Sequence, residues 1–99
     1  MGMMTEHYYT TKGRQRAVFL GPDVKEVRFA LEVRDGDEAA VDVSYDPPET
    51  LRKGQGLWER FEGGAGGSVC GSTAIRVNVG RCDGWVKLVV MGTKNCGKG

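Results

Sequence analysis

The feature that most limits what this chain can become is a period of two in its apolar residues. Val27, Phe29, Leu31 and Val33 alternate with Arg28, Ala30, Glu32 and Arg34. Val41, Val43 and Tyr45 alternate with Asp42 and Ser44; Ile75, Val77 and Val79 alternate with Arg76 and Asn78. Val86, Leu88 and Val90 alternate with Trp85, Lys87, Val89 and Met91. Successive side chains of a strand point to opposite faces, so each stretch reads as a strand with one buried face. No window of about 11 residues carries a helical period. The fold class expected is all-β: an antiparallel β-sandwich of six to seven strands, jelly-roll-like or otherwise connected, with a barrel as the alternative.

Turn residues suggest how the strands join. The cluster Asp35-Gly36-Asp37-Glu38 predicts a hairpin with Val33 opposite Val41, Leu31 opposite Val43 and Phe29 opposite Tyr45. That register puts Arg28 opposite Asp46, which is favourable, and Glu32 opposite Asp42, which is not. A second hairpin pairs Val79 with Val86, Val77 with Leu88 and Ile75 with Val90 across the loop Arg81-Cys82-Asp83-Gly84. Residues 7–11 and 16–20 are β-prone, with Gly13 between them. Gly21-Pro22-Asp23 is a turn, and Pro47-Pro48 ends a strand because proline donates nothing to a ladder. Residues 49–56 form a polar connection with a helical turn, 57–61 a further strand, and 63–68 a flexible glycine loop. All 99 residues fit one domain, with residues 1–20 as an extended N-terminal arm. Sixteen glycines and three prolines serve the many turns.

Composition narrows the function classes. The net charge is +1, and Lys and Arg are mixed with Asp and Glu, so neither nucleic acid nor an anionic membrane is an expected partner. The first residues lack the basic and apolar regions of a signal peptide. Gly2 lacks a myristoylation context, because Glu6 replaces the Ser or Thr. No run reaches the ~18 apolar residues of a membrane span. Cys70, Cys82 and Cys96 are an odd number with no C-x-x-C spacing, which favours free thiols in a reducing compartment over a single disulfide. With His7 the only histidine, no zinc site is expected.

Candidate chemistry is sparse. Ser68 and Cys70 have no base marked for them, and His7 lies near the terminus. Asp35, Asp37 and Glu38 are oxygen donors without the spacing of a calcium loop, and read as a solvated turn. Residues 63–68 lack the Gly-Lys-Ser/Thr ending of a phosphate loop. No catalytic, cofactor or metal site is expected, and the chain reads as non-enzymatic. The last strand is apolar on both faces, since Val89 and Met91 lie beside Trp85 and Lys87. A second cover is therefore expected over Trp85, Val89 and Met91: either another subunit, or Tyr8 and Tyr9 of the arm, which are themselves expected at a partner contact. The competing use of Trp85 and the tyrosines is stacking on sugars, as in a small carbohydrate-binding β-sandwich module.

The stretch Ser72-Thr73-Ala74-Ile75-Arg76-Val77-Asn78-Val79-Gly80, followed by Gly84-Trp85-Val86-Lys87-Leu88-Val89-Val90, resembles the C-terminal hairpin of small tailed-bacteriophage proteins. Their pattern runs Thr-Ala-Ile-Arg-Val-Asn-Val, a short Gly turn, then Val-x-Leu-x-Val. A Gly/Ser-rich stretch precedes it in that family, as residues 63–72 do here. The resemblance covers less than a third of the chain, and Arg81-Cys82-Asp83 departs from the family's Gly/Ser/Thr turn. It implies a structural or assembly protein of a bacteriophage virion, of head-decoration or tail-associated type, assembled in the host cytoplasm. Its implied partners are other virion proteins and itself as a homo-oligomer, with a trimer as the closed form expected.

Overall fold

The computed structural model describes residues 3–21, 24–62 and 64–94. Nine strands and one short helix follow in the order β1 (Met3–Tyr9), β2 (Gly13–Arg14), β3 (Val18–Phe19), β4 (Glu26–Glu32), β5 (Glu38–Ser44), α1 (Pro48–Arg52), β6 (Glu59–Arg60), β7 (Gly66–Cys70), β8 (Ala74–Arg81) and β9 (Val86–Thr93). Three of these strands are two residues long, so six substantial strands carry the architecture. They form two antiparallel sheets, one ordered β1-β9-β4-β7 and the other β2-β8-β5-β6 with β3 also on β8. The fold is the all-β antiparallel sandwich that the alternation predicts.

The core lies between the sheets. Val27, Phe29, Leu31, Val86, Leu88 and Val90 face it from one side, and Val41, Val43, Ile75, Val77 and Val79 from the other. All of them are buried. These are the residues that alternation assigned inward, apart from Tyr45, which is exposed, and Val33, which is half-buried at the core's edge.

The two expected hairpins are corrected. β4 pairs with β9 and β7, and β5 pairs with β8 and β6, so Val33–Val41, Leu31–Val43 and Phe29–Tyr45 are not partners. Likewise β8 and β9 lie in different sheets, which separates Val79 from Val86, Val77 from Leu88 and Ile75 from Val90. Both turns are corners that carry the chain from one sheet to the other. The physical reason is that a corner and a hairpin need the same turn residues and the same alternation. In a hairpin the apolar sets lie side by side, whereas across a corner they face each other. The two corners clasp one another: the Asp83 backbone N–H donates to Asp37 Oδ1 at 2.9 Å. Asp37 is thereby committed to a turn. The Arg34 guanidinium, the far end of an exposed side chain, lies over Gly84 in the space a Cβ would take.

Three further expectations change. The arm does not lie over β9; β1 lies beside it in the sheet, with Thr5 opposite Val90 and His7 opposite Leu88. The glycine loop at 63–68 becomes strand from Gly66 onward, because its backbone completes a ladder with β4. Gly67 leaves room for the Phe61 ring, which meets Phe29 edge to face with 4.8 Å between centroids. Of the cysteines, Cys82 is a free thiol, Cys70 is disulfide-bonded rather than free, and Cys96 lies outside the described residues. The helical turn expected in 49–56 is α1, with Pro48 at its start, where a missing N–H costs nothing.

Candidate functional site: an apolar outer face on the four-stranded sheet

Three rows of side chains cross the outer face of the β1-β9-β4-β7 sheet, with Thr93, Glu26 and Cys70 in a further row beyond Arg28. The middle row is Glu6, Val89, Ala30 and Gly66. On one side of it lie Tyr8, Lys87 and Glu32; on the other lie Met4, Met91, Arg28 and Ser68. Trp85 extends the face beyond Tyr8, with the two rings edge to face and centroids 5.5 Å apart. Strand alternation makes this face: the residues that bury Val86, Leu88 and Val90 inward must turn Lys87, Val89 and Met91 outward.

Four of the six large hydrophobic residues exposed among the described residues lie here: Met4, Tyr8, Trp85 and Met91. Met4 is 62% exposed and Met91 42%, so side chains that bury well are left in solvent. Ala30 and Gly66 leave the centre of the face without large side chains. The expected contact residues Trp85, Val89, Met91 and Tyr8 therefore share one surface. Tyr9 is not on it. It points to the other side of β1 and packs against the core, where burial pushes its phenol pKa up.

Charge is arranged at the two ends of the face. Lys87 Nζ lies 3.8 Å from Glu6 Oε2 and 3.7 Å from Glu32 Oε1. Desolvation pulls on the Lys87 ammonium, but Glu6, Tyr8 and Glu32 outweigh it and hold its pKa above the ordinary value. The Tyr8–Lys87–Glu32 end, with Glu6 reaching into it, is thus acidic. At the other end Arg28 is largely exposed, with Glu26 Oε1 3.7 Å from its Nε.

Other singled-out residues do not converge. His7 Nε2 is 3.0 Å from Thr5 Oγ1 on the inward side of β1. Ser68 is exposed beside Arg28, and Cys70 is in its disulfide. Glu38 sits opposite Arg81. Among the described residues no three His, Cys, Asp or Glu side chains are grouped to hold a metal ion, and no helix is long and apolar enough to cross a membrane.

Sequence reasoning missed Met4, although Met4, Glu6 and Tyr8 already alternate with Thr5 and His7. It also missed a polar cluster on the opposite sheet. There Asp42 lies between Arg60 (Oδ1 to Nε 2.7 Å) and Arg76 (Oδ2 to Nε 3.4 Å), and the Arg76 guanidinium stacks 4.2 Å from the Trp58 ring centroid. Trp58 covers Arg76 and is not part of the core cluster. The chain matches no family model, no curated protein and no solved structure.

Proposed function

We propose that this chain is a non-enzymatic assembly protein that works by docking the outer face of its four-stranded sheet onto another protein surface. The observation that supports this most directly is the concentration of exposed Met4, Tyr8, Trp85 and Met91 on one face of one sheet. Apolar patches of this kind, rimmed by charge, are where soluble domains meet partners. The setting we propose is a bacteriophage virion, on the resemblance carried by residues 72–90, with the chain decorating a head or attached to a tail.

Virions or empty capsid shells lacking the chain should pull it into the pellet on co-sedimentation. Met91→Glu and Trp85→Ser should leave it in the supernatant with unchanged circular dichroism. Wild-type protein that stays in the supernatant, or variants that pellet equally well, would overturn the reading. The alternative, a carbohydrate-binding module, needs a flat aromatic platform. Tyr8 and Trp85 meet at an interplanar angle of 72°, which disfavours it. A glycan array is expected to give no ligand lost on Trp85→Ala.

A further inference from the structure

We infer that one occupant of this outer face is a second copy of the same chain, related by a two-fold axis that runs along the Glu6–Val89–Ala30 row. The inference rests on the docking role proposed for the face and adds the partner's identity and register.

The argument is one of self-complementarity. Two copies packed face to face about an axis along the middle row keep each strand over its own equivalent and reverse its direction. Each residue of one outer row then meets the residue of the other outer row on the same strand. On β4, Glu32 meets Arg28 of the second copy, and by symmetry the contact forms twice. On β1, Tyr8 meets Met4, an aromatic–thioether contact. On β9, the Lys87 stem meets Met91, while its ammonium keeps Glu6 and Glu32 within 3.8 Å. At the centre Val89 meets Val89 and Ala30 meets Ala30, small enough for the sheets to close. Only Glu6 meets its own charge, at the rim, beside its own Lys87.

The other in-plane axis, along β9, preserves strand direction and exchanges β1 with β4. It would set Lys87 against Lys87, Met4 against Arg28 and Tyr8 against Glu32. That wastes both charged ends, so the register along the middle row is preferred. From strand rise and spacing the contact covers roughly 500 Å² per copy. This is below the ~800 Å² per partner of a standard stable interface, so the pair is expected to be reversible and concentration-dependent.

The test is a reciprocal charge exchange read by sedimentation equilibrium. Glu32→Arg alone places Arg against Arg28 twice, and Arg28→Glu alone places Glu against Glu32 twice. Each should weaken self-association at least about tenfold. An equimolar mixture of the two variants restores both contacts and should associate as a heterodimer within a few fold of the wild-type constant. Ala30→Arg, at the axis, should be monomeric without touching any charge pair, and it serves if Arg28→Glu fails to fold beside Glu26. Three results would overturn the inference: a wild-type chain monomeric at millimolar concentration, Glu32→Arg self-associating as the wild type does, or Ala30→Arg remaining dimeric. A monomeric wild type whose Met91→Glu variant still loses co-sedimentation would remove this dimer and leave the docking role standing.

Discussion

Asp42 and Arg76 face each other across β5 and β8 on the outer side of the five-stranded sheet, the carboxylate 3.4 Å from the guanidinium Nε and itself almost fully buried. Arg60 closes the other carboxylate oxygen at 2.7 Å. Trp58 lies over Arg76 and takes the place of solvent on its exposed side. A carboxylate so shielded is held by its partners, and they by it.

Removing Asp42 leaves Arg76, whose side chain is only 17% exposed, without a counter-charge. Asp42→Ala should therefore cost about 2–4 kcal/mol in urea unfolding. Arg60, half in solvent, should cost less than about 1 kcal/mol when changed to Ala. Equal losses for the two variants would contradict this account of the cluster.

Gly67→Ala should be destabilising although the residue is exposed. Its Cβ would enter the Phe61 ring, and Phe61 cannot retreat without losing Phe29. The expected cost is about 1–3 kcal/mol, as for overpacking in a core. Gly21→Ala, where an added methyl meets nothing and φ is ordinary, should lie within about 0.5 kcal/mol of wild type. Thermal melts of the two variants make the comparison.

The corner topology can be read by cross-linking. Ala40 and Asn78 are direct partners on β5 and β8, about 4.5–5.5 Å apart at Cα as antiparallel neighbours. In a Cys82→Ser background, Ala40→Cys with Asn78→Cys should oxidise to a disulfide within the chain. Asn78→Cys with Lys87→Cys should not, because the two residues stand on opposite outer faces. Under a β8–β9 hairpin, that second pair would be the close one, and its cross-linking would refute the sandwich order.

Stability should fall above about pH 10. The Tyr9 phenol is raised by burial, so the unfolded chain loses that proton first and the folded state is progressively disfavoured as pH rises past 10.0. The Lys87 ammonium is also raised, so its contribution is complete below 10.5 and is lost as pH climbs through the higher folded value. Tyr9→Phe should make the alkaline limb of a stability–pH curve shallower. An unchanged limb would show that Tyr9 does not report burial.

Much of the fold was legible because alternation belongs to a single strand. It named Leu31, Val43, Val77 and Leu88 as inward without any knowledge of their neighbours. Pairing was not legible from apolar residues, since the two sheets of a sandwich present inward faces of the same chemistry. The charged residues held the better clue. The hairpin register set Glu32 against Asp42, whereas the real ladders set Glu32 beside Lys87 and Asp42 between Arg60 and Arg76. The clash was a sign that the register was wrong. The candidate face followed the same rule. Val89 and Met91 could be read from β9 alone, whereas the side taken by Tyr8 and Tyr9 depended on β1 pairing with β9. The β7 strand was hidden because its glycines contribute backbone, and backbone leaves no pattern.

The placement of β9 between β1 and β4 has a consequence for how the molecule comes into being. A chain that has been synthesised only as far as β8 holds every strand of one sheet and the other only as fragments, because β1 and β4 have no ladder with each other and both wait for the same strand. Closing that sheet joins segments from opposite ends of the chain. The closure carries the entropy of a very long loop before any contact repays it. Folding should therefore be slow for so small a domain and close to all-or-none. It should take place after the last strand has left the ribosome rather than stepwise during translation.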